Sequence, residues 1–150
     1  MMVVLDSILN RITENREKGR MTYIFIDEIY LLFQNEYSAN FLFTLWKRVR
    51  KYNAFCTGLT QNVEDFLQSH TARTMLSNSE FIVMLNQAAN DRIELEHLMN
   101  ISKQQLNYIT DVPVGHGLMK IGNSLVPFEN KIPTNTKLYQ LMSTKPTDKI

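Results

Sequence analysis

Apolar and polar residues alternate along this chain in two distinct ways, one typical of helices and one typical of strands. Over residues 3–18 the apolar side chains recur every three or four positions, which is the spacing of one helix face. Lys18 and Gly19 then supply a cation and a C-cap residue, as at a helix end. Ser102 and Gln105 predict a capping box. Together these patterns predict further helices over 28–33, 37–52, 62–68, 71–77, 90–99, 102–110 and 136–142.

Three short and nearly continuous apolar runs predict strands. They cover residues 23–26, 54–60 and 80–85, and such runs are typical of strands buried on both faces. Because the runs alternate with helices, the pattern favours a parallel sheet with helices on both of its faces.

The last part of the chain follows a different pattern. Residues 117–121 and 124–128 flank Gly122-Asn123, which predicts an antiparallel hairpin. A polar tail over 143–150 closes the sequence. We therefore predict an α/β fold with a mostly parallel sheet, flanking helices and an antiparallel C-terminal hairpin.

Composition narrows the classes of protein. Hydrophobic residues make up 44% and charged residues 21%, as in ordinary globular domains. With 16 basic and 15 acidic side chains the net charge is +1, which excludes a protein held to nucleic acid by charge alone. The single cysteine, Cys56, lies in an apolar run, which indicates a reducing compartment and a buried, inert thiol. No apolar run approaches the length of a membrane span, and the first residues do not resemble a secretory signal, so a cytoplasmic protein is expected.

Two adjacent carboxylates, Asp27 and Glu28, follow the first predicted strand. Ligands of open α/β sheets collect at the carboxyl ends of strands. There one carboxylate can hold Mg²⁺ through its waters, and the next can polarise a water that attacks a phosphate. The alternative is that the pair only begins a helix, where acidic residues are favourable.

A neutral polar side chain, Gln61, stands at the end of the second predicted strand. A glutamine there can hydrogen-bond the attacking water and the γ-phosphate. In the alternative interpretation, residues 60–62 only begin a helix, with Thr60 or Asn62 as its cap.

Arg48 and Arg50 belong to a cluster of four cations in residues 47–51. The cluster can be a solvated helix end that complements the helix dipole. It can also offer an arginine finger, with Arg50 as the first candidate and Arg48 as the second, to the nucleotide of a neighbouring subunit.

The segments 23–28, 48–53 and 57–62 together resemble the C-terminal half of the VirB4-type ATPases of conjugative transfer and type IV secretion, which are related to the FtsK/HerA class. Residues 79–106 and the 115–118 hairpin segment also resemble that family. The resemblance implies a partial RecA-like P-loop NTPase fold over 1–150.

It further implies roles for single residues: Asp27 for magnesium, Glu28 for water activation, Gln61 for γ-phosphate sensing, and Arg50 or Arg48 as the finger. The implied cofactors are ATP and Mg²⁺. The implied partners are other copies in a hexamer and further secretion components at the inner face of the cell membrane; net charge does not favour DNA as a partner.

The Walker A half of such a site is not found in this sequence. The family requires Gly-x-x-x-x-Gly-Lys-Ser/Thr before the Walker B strand, and residues 1–21 do not contain it. Residues 117–124 have the glycine spacing, but Asn123 stands where the lysine is needed and the segment lies in a hairpin. We therefore expect a fragment that by itself binds nucleotide weakly, hydrolyses it negligibly and leaves a sheet edge exposed.

Two other functions stay open. One is a DNA-translocating coupling protein of the same superfamily, and the other is a non-catalytic assembly module in which Asp27 and Glu28 only cap a helix. His70, His97 and His116 are too widely separated in sequence to predict a metal site.

Overall fold

The computed structural model describes residues 2–61 and 63–143, which divide into two compact units, the first ending at Ser79 and the second beginning at Glu80. The expected polar tail after Ser143 and the alternative cap Asn62 lie outside the described residues. In the part of the chain that is described, no helix is both long and apolar enough to cross a membrane.

The first unit is an α/β arrangement built on two parallel strands. These strands pair from Thr22 opposite Ala54 to Ile26 opposite Gly58. This confirms the first two predicted strands and their parallel direction. The helices and strands are α1 Met2–Glu17, β1 Thr22–Ile26, α2 Glu36–Arg48, β2 Ala54–Gly58, α3 Val63–Gln68 and α4 His70–Ser77, with 3-10 turns at Ile29–Gln34 and Val49–Tyr52.

One face of the β1–β2 pair carries the core of this unit. Ile12 of α1, Leu45 of α2 and Ala54 of β2 are buried in one cluster. Because residues of both helices pack against residues on this face, the strands and helices are held together by apolar burial, which contributes about 25 cal/mol per Å².

The opposite face of the pair is exposed. Tyr23 and Phe25 are 61% and 71% exposed, and the Tyr23 ring stacks on Phe55 with centroids 5.3 Å apart. The prediction that these strands are buried on both faces is therefore wrong for the described residues. A continuous apolar run indicates a strand, but it does not determine how many layers cover it.

The turn that follows β1 is fastened to α2. Asn35 caps α2 by accepting hydrogen bonds from the backbone N–H groups of Tyr37 and Ser38. The buried Ser38 hydroxyl donates in turn to the carbonyl oxygens of Leu32 and Asn35. These bonds fix the 3-10 turn Ile29–Gln34 relative to the helix after it.

The second unit contains an antiparallel sheet in the order β3-β4-β5. The β4–β5 hairpin turns at Gly122, whose φ of +55° suits glycine, and so the predicted hairpin is confirmed. The third predicted strand pairs with this hairpin in antiparallel fashion, not in parallel with the first two. The helices and strands are β3 Phe81–Met84, α5 Ala89–Met99, α6 Lys103–Leu106, β4 His116–Ile121, β5 Ser124–Glu129 and α7 Lys137–Met142, with a 3-10 turn at Asn107–Ile109.

The predicted capping box at α6 is also confirmed. The Ser102 hydroxyl accepts a hydrogen bond from the Gln105 backbone N–H, and the Gln105 side chain accepts one from the Ser102 backbone N–H. The box satisfies two backbone donors that a helix start otherwise leaves unpaired.

Candidate active site

Asp27 and Glu28 lie directly after the last residue of β1, Ile26, at the carboxyl edge of the parallel pair. β2 ends at Gly58 on the same edge, because parallel strands present their carboxyl ends together. The edge therefore collects the side chains that follow both strands.

The pairing of β1 with β2 changes at Glu28. The Leu59 N–H donates to the carbonyl of Ile26 at 2.8 Å, as a regular parallel ladder requires. Regular pairing would next bring the Glu28 N–H to the Leu59 carbonyl, but the Ile29 N–H occupies that oxygen at 2.9 Å. Glu28 is thus an extra residue just after the end of β1, and we call this step the bulge, since like a β-bulge it interrupts the pairing and re-aims a side chain.

The backbone of Glu28 is left-handed, with φ 48° and ψ 47°. A residue with a Cβ takes up this conformation at a cost of roughly 1–2 kcal/mol relative to the right-handed region. Its N–H, removed from the ladder by the bulge, donates instead to Oδ1 of Asp27 at 3.0 Å. This bond fixes the Asp27 carboxylate against the backbone of Glu28.

Gln61 reaches the same point from β2. Its Nε2 donates to Oε1 of Glu28 at 3.3 Å, although 33 residues separate the two in sequence. The structure thus brings together Asp27, Glu28 and Gln61, three side chains that the sequence placed at neighbouring strand ends.

Arg48 and Arg50 lie elsewhere. Arg48 ends α2 and Arg50 lies in the following 3-10 turn, so both precede β2. β2 has five residues, which corresponds to about 16 Å between its amino and carboxyl ends. Within one chain the two arginines are therefore at the opposite edge of the sheet from Glu28.

Two residues that the sequence did not single out shape the site. A Cβ placed on Gly58 would lie 2.6 Å from Cδ1 of Ile29, so only glycine fits beside that side chain in its present position. A glycine at the end of a strand can mark such a close approach, and this was the available signal.

The donor set at the edge fits a hydrated magnesium ion but not an all-protein metal site. Carboxylate and amide oxygens are the ligand types that magnesium takes. Within residues 2–61 and 63–143, however, no three His, Cys, Asp or Glu side chains are grouped as metal ligands. A magnesium ion at this edge would therefore take most of its ligands from water and phosphate, and the Asp27 and Glu28 carboxylates are the protein groups that could hold it.

Cys56 is removed from this chemistry. It is partly buried against the core cluster, and burial raises the pKa of its thiol to about 12. The thiolate, which is the reactive form, is therefore scarce at neutral pH.

Comparison with known proteins identifies the family and the fold of the chain. A family model described as the TraG P-loop domain matches residues 1–117. The solved structure of VirB4 of Thermoanaerobacter pseudethanolicus is similar, with a TM-score of 0.77 and 26% sequence identity. The match covers 87% of this chain and 36% of that one. Among curated proteins none is significantly similar in sequence. The similarity confirms the resemblance to VirB4-type ATPases and the partial RecA-like fold.

Proposed function

The chain belongs to the TraG P-loop domain family, within the conjugation and type IV secretion ATPases, and from this we propose that it supplies the water-activating half of an ATP-hydrolysis site. The observation that carries the proposal is the hydrogen bond from Gln61 to Glu28 at the carboxyl edge of β1 and β2. A pair that served only as helix caps would not need this link between two strands.

The three side chains take distinct roles in this proposal. Asp27 holds the magnesium ion through water, and the ion, when bound with ATP, offsets the charge of the phosphates. Glu28 accepts a proton from the attacking water. Gln61 holds Glu28 in place through its hydrogen bond and would also contact the γ-phosphate when ATP is bound.

We place this site within a larger assembly. The chain spans about a third of the VirB4 structure that it resembles, so its activity is proposed as part of a longer ATPase. The longer protein would contribute the phosphate-binding loop, bind ATP and assemble as a hexamer. It would work at the inner face of the cell membrane with other secretion components. The family relationship supports this setting.

The position of Arg50 supports a role between subunits. Because Arg50 and Arg48 lie at the edge opposite Glu28, either can serve only the nucleotide of a neighbouring copy. A guanidinium there would offset charge on the transferred phosphoryl group.

The first experiment measures magnesium-dependent ATP hydrolysis by the full-length gene product. Glu28→Gln should lower kcat by about 100-fold or more, since general base catalysis contributes that much. Glu36→Gln, an exposed acid in the first turn of α2, is the matched control and should retain wild-type turnover. Wild-type turnover in Glu28→Gln and in Asp27→Ala would leave only the assembly-module interpretation.

A second experiment uses the 150-residue chain by itself, which should show negligible turnover because no phosphate-binding loop is found in its sequence. Steady magnesium-dependent hydrolysis that disappears in Glu28→Gln would contradict this expectation.

The arginine proposal is tested by mixing variants of the full-length protein. Glu28→Gln subunits retain the arginine, and Arg50→Ala subunits retain the carboxylate, so interfaces between the two restore one complete site. We expect activity to recover on mixing, but not when Glu28→Gln is mixed with the double variant. Native mass spectrometry should confirm that mixed assemblies form. If they form and activity does not recover, a role for Arg50 is refuted. The same pair of tests with Arg48→Ala decides between the two arginines.

A further inference from the structure

Gly58 is the last residue of β2 and faces the chain that leaves β1. Besides the 2.6 Å approach to Cδ1 of Ile29, a Cβ on Gly58 would lie 3.3 Å from Cγ2 of the same side chain. A methyl group at position 58 therefore cannot be added unless Ile29 moves.

Ile29 has little room to move. Its side chain is only 3% exposed, and the 3-10 turn that it begins contacts α2, α3 and α4. Phe33 of the same turn packs edge-on against Phe66 of α3, with ring centroids 5.3 Å apart. Close-packed interiors transmit displacements of this kind to the attached backbone.

The backbone that would receive the displacement is the bulge itself. Ile29 directly follows Glu28, and its N–H forms the 2.9 Å bond to Leu59 that excludes Glu28 from the ladder. A shift of the Ile29 backbone would lengthen that bond or change the left-handed φ of Glu28. Either change would redirect the Glu28 carboxylate away from Gln61.

We propose that Gly58 and Ile29 are positioning residues for Glu28. The missing side chain at 58 lets Ile29 seat against β2, the seated Ile29 fixes the bulge, and the bulge aims the Glu28 carboxylate at Gln61 and the attacking water. The catalytic part of this inference rests on the proposed function; the positioning part does not.

The test is a steric double-mutant cycle in the full-length protein, measured as steady-state ATP hydrolysis. Gly58→Ala should lower kcat by about tenfold or more with little change in KM, since misplacing a group by about 1 Å can cost up to 100-fold. Ile29→Val, which removes Cδ1 but keeps Cγ2, should lower kcat less than Gly58→Ala does, because it loosens the contact with Gly58 without displacing the side chain. The combined variant should recover most of the lost kcat, because the atom nearest the new methyl group is gone.

Thr57→Ala is the matched control, since Thr57 is the exposed neighbour of Gly58 in β2 and faces away from Ile29. It should leave both kinetic parameters unchanged. Wild-type kcat in Gly58→Ala, or a combined variant that melts like wild type but stays inactive, would overturn the proposal. If Gly58→Ala alone does not fold, the combined variant decides: it should be both folded and active.

A second readout separates this inference from the proposed function. In the 150-residue chain by itself, the side-chain amide signal of Gln61 in a ¹⁵N–¹H NMR spectrum reports the hydrogen bond from Gln61 to Glu28. Gly58→Ala should move that signal toward its position in Glu28→Ala, and adding Ile29→Val should move it back. If Glu28→Gln shows full turnover and this NMR pattern is observed, the catalytic role of Glu28 is refuted but the positioning by Gly58 and Ile29 is retained. If the Gln61 signal does not move in Gly58→Ala, the positioning itself is refuted.

Discussion

Glycine and alanine at position 28 should rank in the reverse of their usual order for stability. In an exposed helix interior, glycine is about 1 kcal/mol less stable than alanine. At Glu28 the backbone is left-handed, with φ 48°, so alanine retains the strain and glycine removes it. Both substitutions delete the same hydrogen bond to Gln61, and so that loss cancels when the two variants are compared.

The size of the difference follows from two opposing terms. A left-handed residue with a Cβ costs roughly 1–2 kcal/mol, whereas glycine loses more backbone entropy on folding, roughly 0.5–1 kcal/mol. Glu28→Gly should therefore be about 0.5–1 kcal/mol more stable than Glu28→Ala. At Asn40, an exposed position inside α2, Gly should instead be about 1 kcal/mol less stable than Ala.

The assay is urea unfolding of the chain followed by the fluorescence of Trp46, its single tryptophan. Trp46 lies in α2, and its Nε1 donates to the Ser79 hydroxyl at 3.2 Å, so the signal reports on the first unit. For a unit of this size, 1 kcal/mol corresponds to about 4–8 °C in Tm, which gives a second measurement. If alanine at position 28 proves as stable as glycine, while the Asn40 pair behaves normally, the left-handed bulge is refuted.

Further outcomes are expected at Leu42, Cys56 and Gly117. Leu42→Ala, at a fully buried site, should lower the free energy of unfolding by about 2–5 kcal/mol; Leu31→Ala, at a site 50% exposed, should lower it by less than about 1 kcal/mol in the same urea titration. The Cys56 thiol, with its pKa raised to about 12 from 9.0, should react with Ellman's reagent about a thousandfold more slowly in the native chain than in urea at pH 8. The same shift stabilises the fold below pH 9 and is lost as pH rises from 9 toward 12, so unfolding free energies that stay level over that interval would contradict it. Gly117→Ala should weaken the β3–β4 pairing, because a Cβ there meets the backbone oxygen of Met84; faster amide exchange in β4 is the expected sign, and unchanged protection would refute the contact.

Local patterns in the sequence determined much of the first unit. Apolar runs at 23–26 and 54–60 indicated two strands, and these are β1 and β2 with slightly different ends. Because adjacent parallel strands end at the same edge, the position of Asp27, Glu28 and Gln61 relative to each other followed from strand assignment alone. The end of α1 near Gly19 and, in the second unit, the start of α6 at Ser102 followed from capping preferences, which depend on only a few neighbouring residues.

Other features depended on contacts that no local pattern encodes. The third strand was expected beside the first two, but it pairs with the hairpin, because strand pairing is chosen among all available edges and not by neighbours in sequence. The exposure of the aromatic face formed by Tyr23, Phe25 and Phe55 was also not predictable, because an apolar run does not show what covers it.

The sequence by itself thus determined which side chains meet at the carboxyl edge of β1 and β2, through residue type and strand order. Only the tertiary structure decided how Glu28 is held there. The bulge exists because Ile29, not Glu28, bonds to Leu59, and the Ile29 side chain lies beside Gly58, which is 29 positions away in sequence. Steric fit between distant residues is a property of the folded packing, and so it could not be predicted from periodicity.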